Sequence, residues 1–185
     1  MIIGDGIRLR AIERSDLARF VAWLNDPEVR EGLAIYQPLS QAQEENWYEN
    51  TLKQPVQEQP LVIEIESPQG WTAIGNVGLT NLDWQNRSAE VGIFIGDKQY
   101  WNQGYGRKAM EILLVHAFST MNLHRIFLRV FETNPRAIHS YEKAGFQHEG
   151  RMRAAHFQNG QYIDVLLMSA LQPEWNVRNR EQSRE

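Results

Sequence analysis

An α/β fold in a single domain is what this sequence predicts, on three observations. Short runs in which apolar and polar residues alternate recur between turn residues. One stretch carries Met110, Leu113, Leu114, Ala117, Phe118 and Met121 at i, i+3, i+4, i+7, i+8 and i+11, the stripe of a helix with one buried face. Asn159-Gly160 precedes a strand-like run, as in a two-residue type I′ hairpin. The 185 residues suffice for one sizeable core. No repeat or low-complexity linker divides them, so the domain is expected over 1–175, with a polar, frayed tail over 176–185.

The elements follow in order. Residues 7–12 alternate Ile7, Leu9 and Ala11 against Arg8, Arg10 and Ile12, a short strand. Ser15 stands where a helix N-cap belongs, ahead of Leu17, Phe20, Val21 and Leu24 at helical spacing, and Asn25-Asp26-Pro27 ends that helix. Ser40 with Gln43 three residues on has the form of a capping box, starting a second helix through Trp47 and Tyr48 to about residue 53. Strands over 61–66 and 71–82 are joined by the turn Ser67-Pro68-Gln69-Gly70. A strand over 89–95 leads to the striped helix, which ends near Thr120. A strand over 125–131 places Ile126, Leu128 and Val130 on one face. Asn134-Pro135 starts a helix and Gly145 after Ala144 stops it. The hairpin follows, its second strand over 162–168.

Composition narrows the function. A net charge of −4 argues against nucleic acid as the main partner and suits a cationic amine. Cysteine is absent, which removes disulfides, thiol nucleophiles and Cys-ligated metals. The histidines (His116, His124, His139, His148, His156) show no metal-ligand spacing, and His139 with Glu142 reads as a helix surface pair, so no metal is expected. No apolar run is long enough to span a bilayer and no signal peptide opens the chain, which points to a cytosolic protein without a membrane partner.

The most informative stretch is Trp101-Asn102-Gln103-Gly104-Tyr105-Gly106-Arg107-Lys108-Ala109, between the strand over 89–95 and the striped helix. Two glycines at a strand-to-helix junction let the backbone approach a ligand closely, and a helix N-terminus offers amides and partial positive charge to a phosphate. Gly104-x-Gly106-x-x-Ala109 also fits the dinucleotide-binding fingerprint, with Glu132 at the next strand end in place of the ribose-binding acid. Against that rival, residues 97–103 intervene between strand and glycines, and too few βα units remain downstream.

Taken together, Ala89-Glu90-Val91-Gly92, Tyr100-Trp101, Gln103-Gly104-Tyr105-Gly106 and the segment from Asn134-Pro135-Arg136-Ala137-Ile138 through Tyr141-Glu142-Lys143-Ala144-Gly145-Phe146 resemble the GNAT acetyltransferase superfamily. Within it they look most like the subgroup of RimJ/RimL-type ribosomal-protein N-terminal acetyltransferases and spermidine acetyltransferase. Two separate motifs agree in order and spacing, and the likeness covers roughly residues 7–171. One departure is Trp101, where the superfamily loop usually begins with Arg or Gln.

The resemblance implies a mixed, mostly antiparallel, twisted sheet of about seven strands with a splayed centre and about four flanking helices. It implies acetyl transfer from acetyl-CoA (coenzyme A) to a primary amine by direct attack in a ternary complex. Main-chain amides of Gln103, Gly104, Tyr105, Gly106 and Arg107 are expected to bind the pyrophosphate. The main chain of Ile93, Phe94 and Ile95 is expected to pair with the pantetheine arm, which Asn134 also contacts. Tyr141, seven residues and about 10.5 Å along the helix axis from Asn134, is expected to protonate the departing thiolate. Glu90 is the first candidate for the general base, acting directly or through water, and Glu132 a later one. Trp23, Glu31, Tyr36, Glu44, Trp47 and Phe157 are candidates for lining the acceptor pocket. The acceptor is expected to be a polyamine, another small amine or a peptide N-terminus, and residues 29–39 lack the acidic pattern expected of a spermidine enzyme. The other readings are a non-catalytic acyl-CoA-binding or sensing module and a dinucleotide oxidoreductase. A homo-oligomer through the hairpin or the Trp-rich segments is a further expectation.

Overall fold

The computed structural model describes the backbone of residues 1–182 and the side chains of residues 1–177. The chain groups into two compact units, Met1–Leu79 with Gly92–Ala109, and Thr80–Val91 with the described chain from Met110 onward. Strands β4 (Gly70–Asp83) and β5 (Ser88–Ile95) and helix α4 (Tyr105–Ser119) contribute to both.

In the first unit, β1 (Ile2–Gly4), β2 (Ile7–Ala11), β3 (Leu61–Ser67) and β4 pair antiparallel in that order, with Ile2 opposite Leu9, Ile7 opposite Ile65 and Leu61 opposite Val77. The alternation read from the sequence is realised in β2, where Ile7 and Leu9 are buried. Arg10 closes the start of the fold. Its guanidinium donates to both Asp16 carboxylate oxygens at 2.7 Å and to Glu64 at 2.8 Å, and Arg8 reaches the other Glu64 oxygen at 2.6 Å.

That network displaces the expected Ser15 cap. Ser15 lies inside a 3-10 turn, Arg14–Asp16, and the Asp16 carboxylate accepts from the Glu13 amide at 2.9 Å as α1 (Leu17–Leu24) begins. Asn25-Asp26-Pro27 does end α1, but it also opens α2 (Pro27–Arg30), because Asp26 accepts from the Glu28 amide at 2.9 Å and proline fits a first helical turn. The Ser40–Gln43 capping box is present at the start of α3 (Gln41–Thr51), with bonds of 2.8 and 3.2 Å. Ile12, Leu17, Phe20, Tyr48, Val62 and Ala73 form a buried cluster, and Trp23, Leu24 and Trp47 pack against it.

In the second unit, β5 runs parallel to β6 (Arg125–Phe131), while β8 (Gln161–Leu171) pairs antiparallel with β6 along its whole length and with β7 (Gln147–Gln158). Asn159 and Gly160 have φ of 51° and 80°, the two positive values a type I′ turn requires. The α4 stripe is buried through Met110, Leu113, Leu114, Ala117 and Phe118, as are Ile126, Leu128 and Val130 of β6. Helix α5 (Pro135–Ala144) has Asn134 as N-cap and ends on Gly145 at φ 105°.

The frayed tail expected from Asn176 is instead the continuation of a helix, α6 (Gln172–Gln182), anchored where the Trp175 ring lies 5.7 Å from that of Phe118. The rest of that expected tail, 183–185, lies outside the described residues. Among the described residues the fold is thus a mixed α/β one with mostly antiparallel strand pairing, carrying eight strands and six α-helices; β1, α2 and α6 are the additions to the expected set. No helix among them is long and apolar enough to cross a membrane.

Candidate active site

The first unit holds the glycine loop. Strand β5 runs into buried Gly96, whose amide donates to the Ile74 carbonyl at 2.8 Å, as does that of Asp97 at 3.1 Å. The Asp97 carboxylate accepts from the Gln99 amide at 3.1 Å and starts a 3-10 turn, Lys98–Tyr100. Asn102 and Gly104, at φ 59° and 83°, then turn the chain into α4. The first bond inside that helix is donated by the Lys108 amide to the Gly104 carbonyl at 3.0 Å. Tyr105, Gly106 and Arg107 therefore make up the first helical turn, and the amides of Tyr105 and Gly106 have no preceding helical carbonyl to reach. Gln103 and Gly104 are exposed, and a Cβ built on Gly104 would meet nothing within 4 Å. An open bend on a 15-residue helix suits an anion such as the diphosphate of coenzyme A.

Backbones come unusually close beside this loop. A Cβ on Gly75 would lie 2.1 Å from the Phe94 carbonyl oxygen, and one on Gly96 would lie 2.2 Å from the Trp23 ring. The Trp23 and Phe20 rings both meet Phe94, at 6.4 and 6.1 Å between centroids. Trp101, to which the sequence assigns no side-chain role, donates its indole N–H to the Ile95 carbonyl at 2.7 Å and ties loop to strand. One of the main-chain acceptors expected to want a neighbour thus already has one. The need of a tryptophan N–H for an acceptor was the signal available in the sequence. The side chains of Ile93, Phe94 and Ile95 are half-buried.

In the second unit the parallel pairing of β5 with β6 covers Ser88–Glu90 against Arg125–Phe127 and goes no further. Glu90 is held firmly. One oxygen accepts from Arg129 Nε at 2.7 Å, the other from Arg129 Nη2 at 3.1 Å and Asn81 Nδ2 at 3.0 Å. Glu132 is equally engaged, accepting from the Asp164 amide at 2.8 Å and from Arg151 at 3.0 Å. Asn134 caps α5 through its side-chain oxygen, which accepts from the Ala137 amide at 3.1 Å. Tyr141 is different. Its half-buried side chain packs on Phe146, and burial pushes the phenol pKa up to about 12. Its hydroxyl has no hydrogen-bond partner among the described residues. A protonated phenol that no other side chain engages is equipped to give up a proton.

Of the suggested acceptor-pocket residues in the first unit, Trp23 and Trp47 are packing groups, Glu31 and Tyr36 are exposed, and Glu44 is buried on α3. In the second unit, exposed Phe157 packs on Tyr162, 5.0 Å between ring centroids.

A family model described as an acetyltransferase (GNAT) domain matches residues 7–147. The chain belongs to the GNAT acetyltransferase family. It is an acetyl-CoA-dependent N-acetyltransferase. The chain is 32% identical over 174 residues to a spermidine N(1)-acetyltransferase of Vibrio cholerae serotype O1, covering 94% of this chain and 97% of that one. The spermidine N(1)-acetyltransferase of Escherichia coli K12 is 29% identical over 180 residues, covering 94% and 90%. Among solved structures, the crystal structure of spermidine N-acetyltransferase from Vibrio cholerae in complex with CoA and spermine matches with a TM-score of 0.84 at 31% identity, over 94% of this chain and 99% of that one. The non-catalytic binding module finds no support among these relatives.

Proposed function

We propose that this GNAT enzyme acetylates a primary amine of a small polyamine of the spermidine and spermine class. The observation that carries the reading is the likeness, along 94% of the chain, to a spermidine N-acetyltransferase whose crystal structure is a complex with CoA and spermine. The net charge of −4 is consistent with a polycationic acceptor.

When bound, acetyl-CoA supplies the acetyl group that passes from the thioester sulfur to the acceptor nitrogen. The amides of Gln103, Gly104, Tyr105, Gly106 and Arg107 hold its diphosphate, as the open Gly104 bend at the head of α4 supports. The main chain of Ile93, Phe94 and Ile95 lies along the pantetheine arm, and Asn134 contacts that arm with the part of its amide not used in capping. Tyr141 Oη gives its proton to the sulfur as the C–S bond breaks. Glu90 takes the amine proton through water; Arg129 and Asn81 fix its orientation, so direct contact with the amine would require displacing one of them.

The test is thiol release from acetyl-CoA with a panel of acceptors: spermidine, spermine, diamines, monoamines, aminosugars and peptides with free N-termini. Spermidine and spermine are expected to give the highest kcat/KM. Turnover confined to peptide N-termini would overturn the polyamine reading.

A further inference from the structure

Two stretches of the first unit are proposed above to grip different parts of one molecule. The main chain of Ile93, Phe94 and Ile95 takes the pantetheine arm, and the amides of residues 103–107 take the diphosphate. Trp101 stands between them, six residues after Ile95, and its indole N–H donates to the Ile95 carbonyl at 2.7 Å. The loop is held by other bonds too, but these act differently. The Gly96 and Asp97 amides sit on the Ile74 carbonyl at 2.8 and 3.1 Å and anchor the first two loop residues on β4. The Tyr100 amide donates to the Asp97 carbonyl and the Trp101 amide to that of Lys98, both at 3.1 Å. Gln103 Nε2 reaches the Gln99 carbonyl at 2.5 Å, and the Tyr100 and Tyr105 rings meet edge to face at 5.9 Å. These last four contacts set the loop's own shape. The indole bond sets where that shape sits against β5. Lys98 adds ion pairs to Asp26 and Glu28 at 2.8 and 2.9 Å, partly exposed to solvent and so weak.

A ligand gripped at two points binds most tightly when the two grips are already spaced to fit it. Once one end is held, the other binds within the same complex, and no free energy goes into ordering the protein. Trp101 suits this task. An indole is a rigid plate on two side-chain torsions, so fixing it costs less freedom than fixing Arg or Gln, the residues with which the superfamily loop usually begins. We infer that Trp101 is a positioning residue: its indole bond to Ile95 presets the spacing between the strand that takes the pantetheine arm and the loop that takes the diphosphate. The assignment rests on the cofactor placement proposed above.

Trp101→Phe keeps an aromatic ring and removes the N–H. Calorimetric titration of parent and variant with coenzyme A, with pantetheine alone and with the 3′-phosphorylated ADP half alone measures the whole ligand and each of its parts. Kd for coenzyme A is expected to rise about tenfold, the net contribution of one hydrogen bond, while Kd for each half changes less than twofold. A residue that only holds the fold together would weaken all three. An unchanged Kd for coenzyme A, or equal losses with the halves, would overturn the assignment. Should Trp101→Phe fail to fold, a benzothiophene analogue of tryptophan at position 101 alone, with sulfur in place of the N–H, gives the same comparison. A parent protein that binds coenzyme A no more tightly than pantetheine ends the proposed placement of the diphosphate, and the role of Trp101 with it. A parent that prefers coenzyme A, beside a variant that has lost none of that preference, ends the role of Trp101 alone.

Discussion

Replacing Gly75 by alanine puts a methyl group where the backbone of β5 already lies. The new Cβ would stand 2.1 Å from the Phe94 carbonyl oxygen, 2.9 Å from Ile95 Cα and 3.0 Å from the Phe94 carbonyl carbon. An ordinary C···O contact is about 3.3 Å, so Phe94 must retreat by roughly 1.2 Å. No flexible side chain is there to yield; the strand itself has to move. Overpacking of this kind costs about 1–3 kcal/mol, on the order of 5 °C in Tm for a chain of this size. The displaced segment is also the one proposed to hold the pantetheine arm, and a misplacement of about 1 Å is enough to lower catalysis by roughly a hundredfold. Scanning calorimetry and initial rates at varied acetyl-CoA measure the two effects. Gly150→Ala is the control, because a Cβ there meets only Leu167 Cδ1 at 3.8 Å. A Gly75→Ala protein with the parent's Tm and kcat/KM for acetyl-CoA would refute the close approach and the role given to this part of β5.

Tyr141→Phe is expected to lower kcat by about 10²–10⁴-fold while the dissociation constant for acetyl-CoA, measured by calorimetry, stays near that of the parent. Gly104→Ala has space for its methyl but must hold φ near 83°, at a cost of about 1–2 kcal/mol, and should weaken acetyl-CoA binding roughly tenfold in the same titration. Asp16→Asn tests the Arg10 network. Burial pushes the Asp16 carboxyl up, but hydrogen bonds from Arg10 and the Glu13 amide outweigh it and hold the group below the usual aspartate range. A lowered folded pKa contributes stability above the unfolded value and loses it as pH falls through the folded one. The variant should therefore be about 3 kcal/mol less stable in denaturant melts at neutral pH, with the gap closing in acid.

The elements that were legible in the sequence are those whose signals are local. Ser40 and Gln43 form their box within four residues, Asn134-Pro135 and Gly145 bracket α5, Asn159-Gly160 makes the hairpin turn, and the α4 stripe needs only its own periodicity. Ser15 misled because Arg10 draws Asp16 into a different cap, a contact that no local pattern announces. Asp26-Pro27 carries the signal of a helix stop, yet the same pair begins α2. Helix α6 is too polar for its periodicity to declare a buried face, and Trp175 is its anchor. The site divides in the same way. The two-glycine bend and the Tyr141 helix stand out as motifs, whereas the Glu90–Arg129 pair joins residues 39 apart. The burial of Glu44 is invisible in the polar run Gln41-Ala42-Gln43-Glu44-Glu45-Asn46, where no apolar periodicity marks a buried face.

Mass spectrometry of spermidine incubated with the protein and acetyl-CoA is the most direct measurement. The expected product carries one acetyl group on a primary amine, in amounts equal to the free thiol released, and it is all but lost with Tyr141→Phe. Unmodified spermidine alongside acetylated peptide N-termini, or full activity without the Tyr141 hydroxyl, would contradict this account of the enzyme.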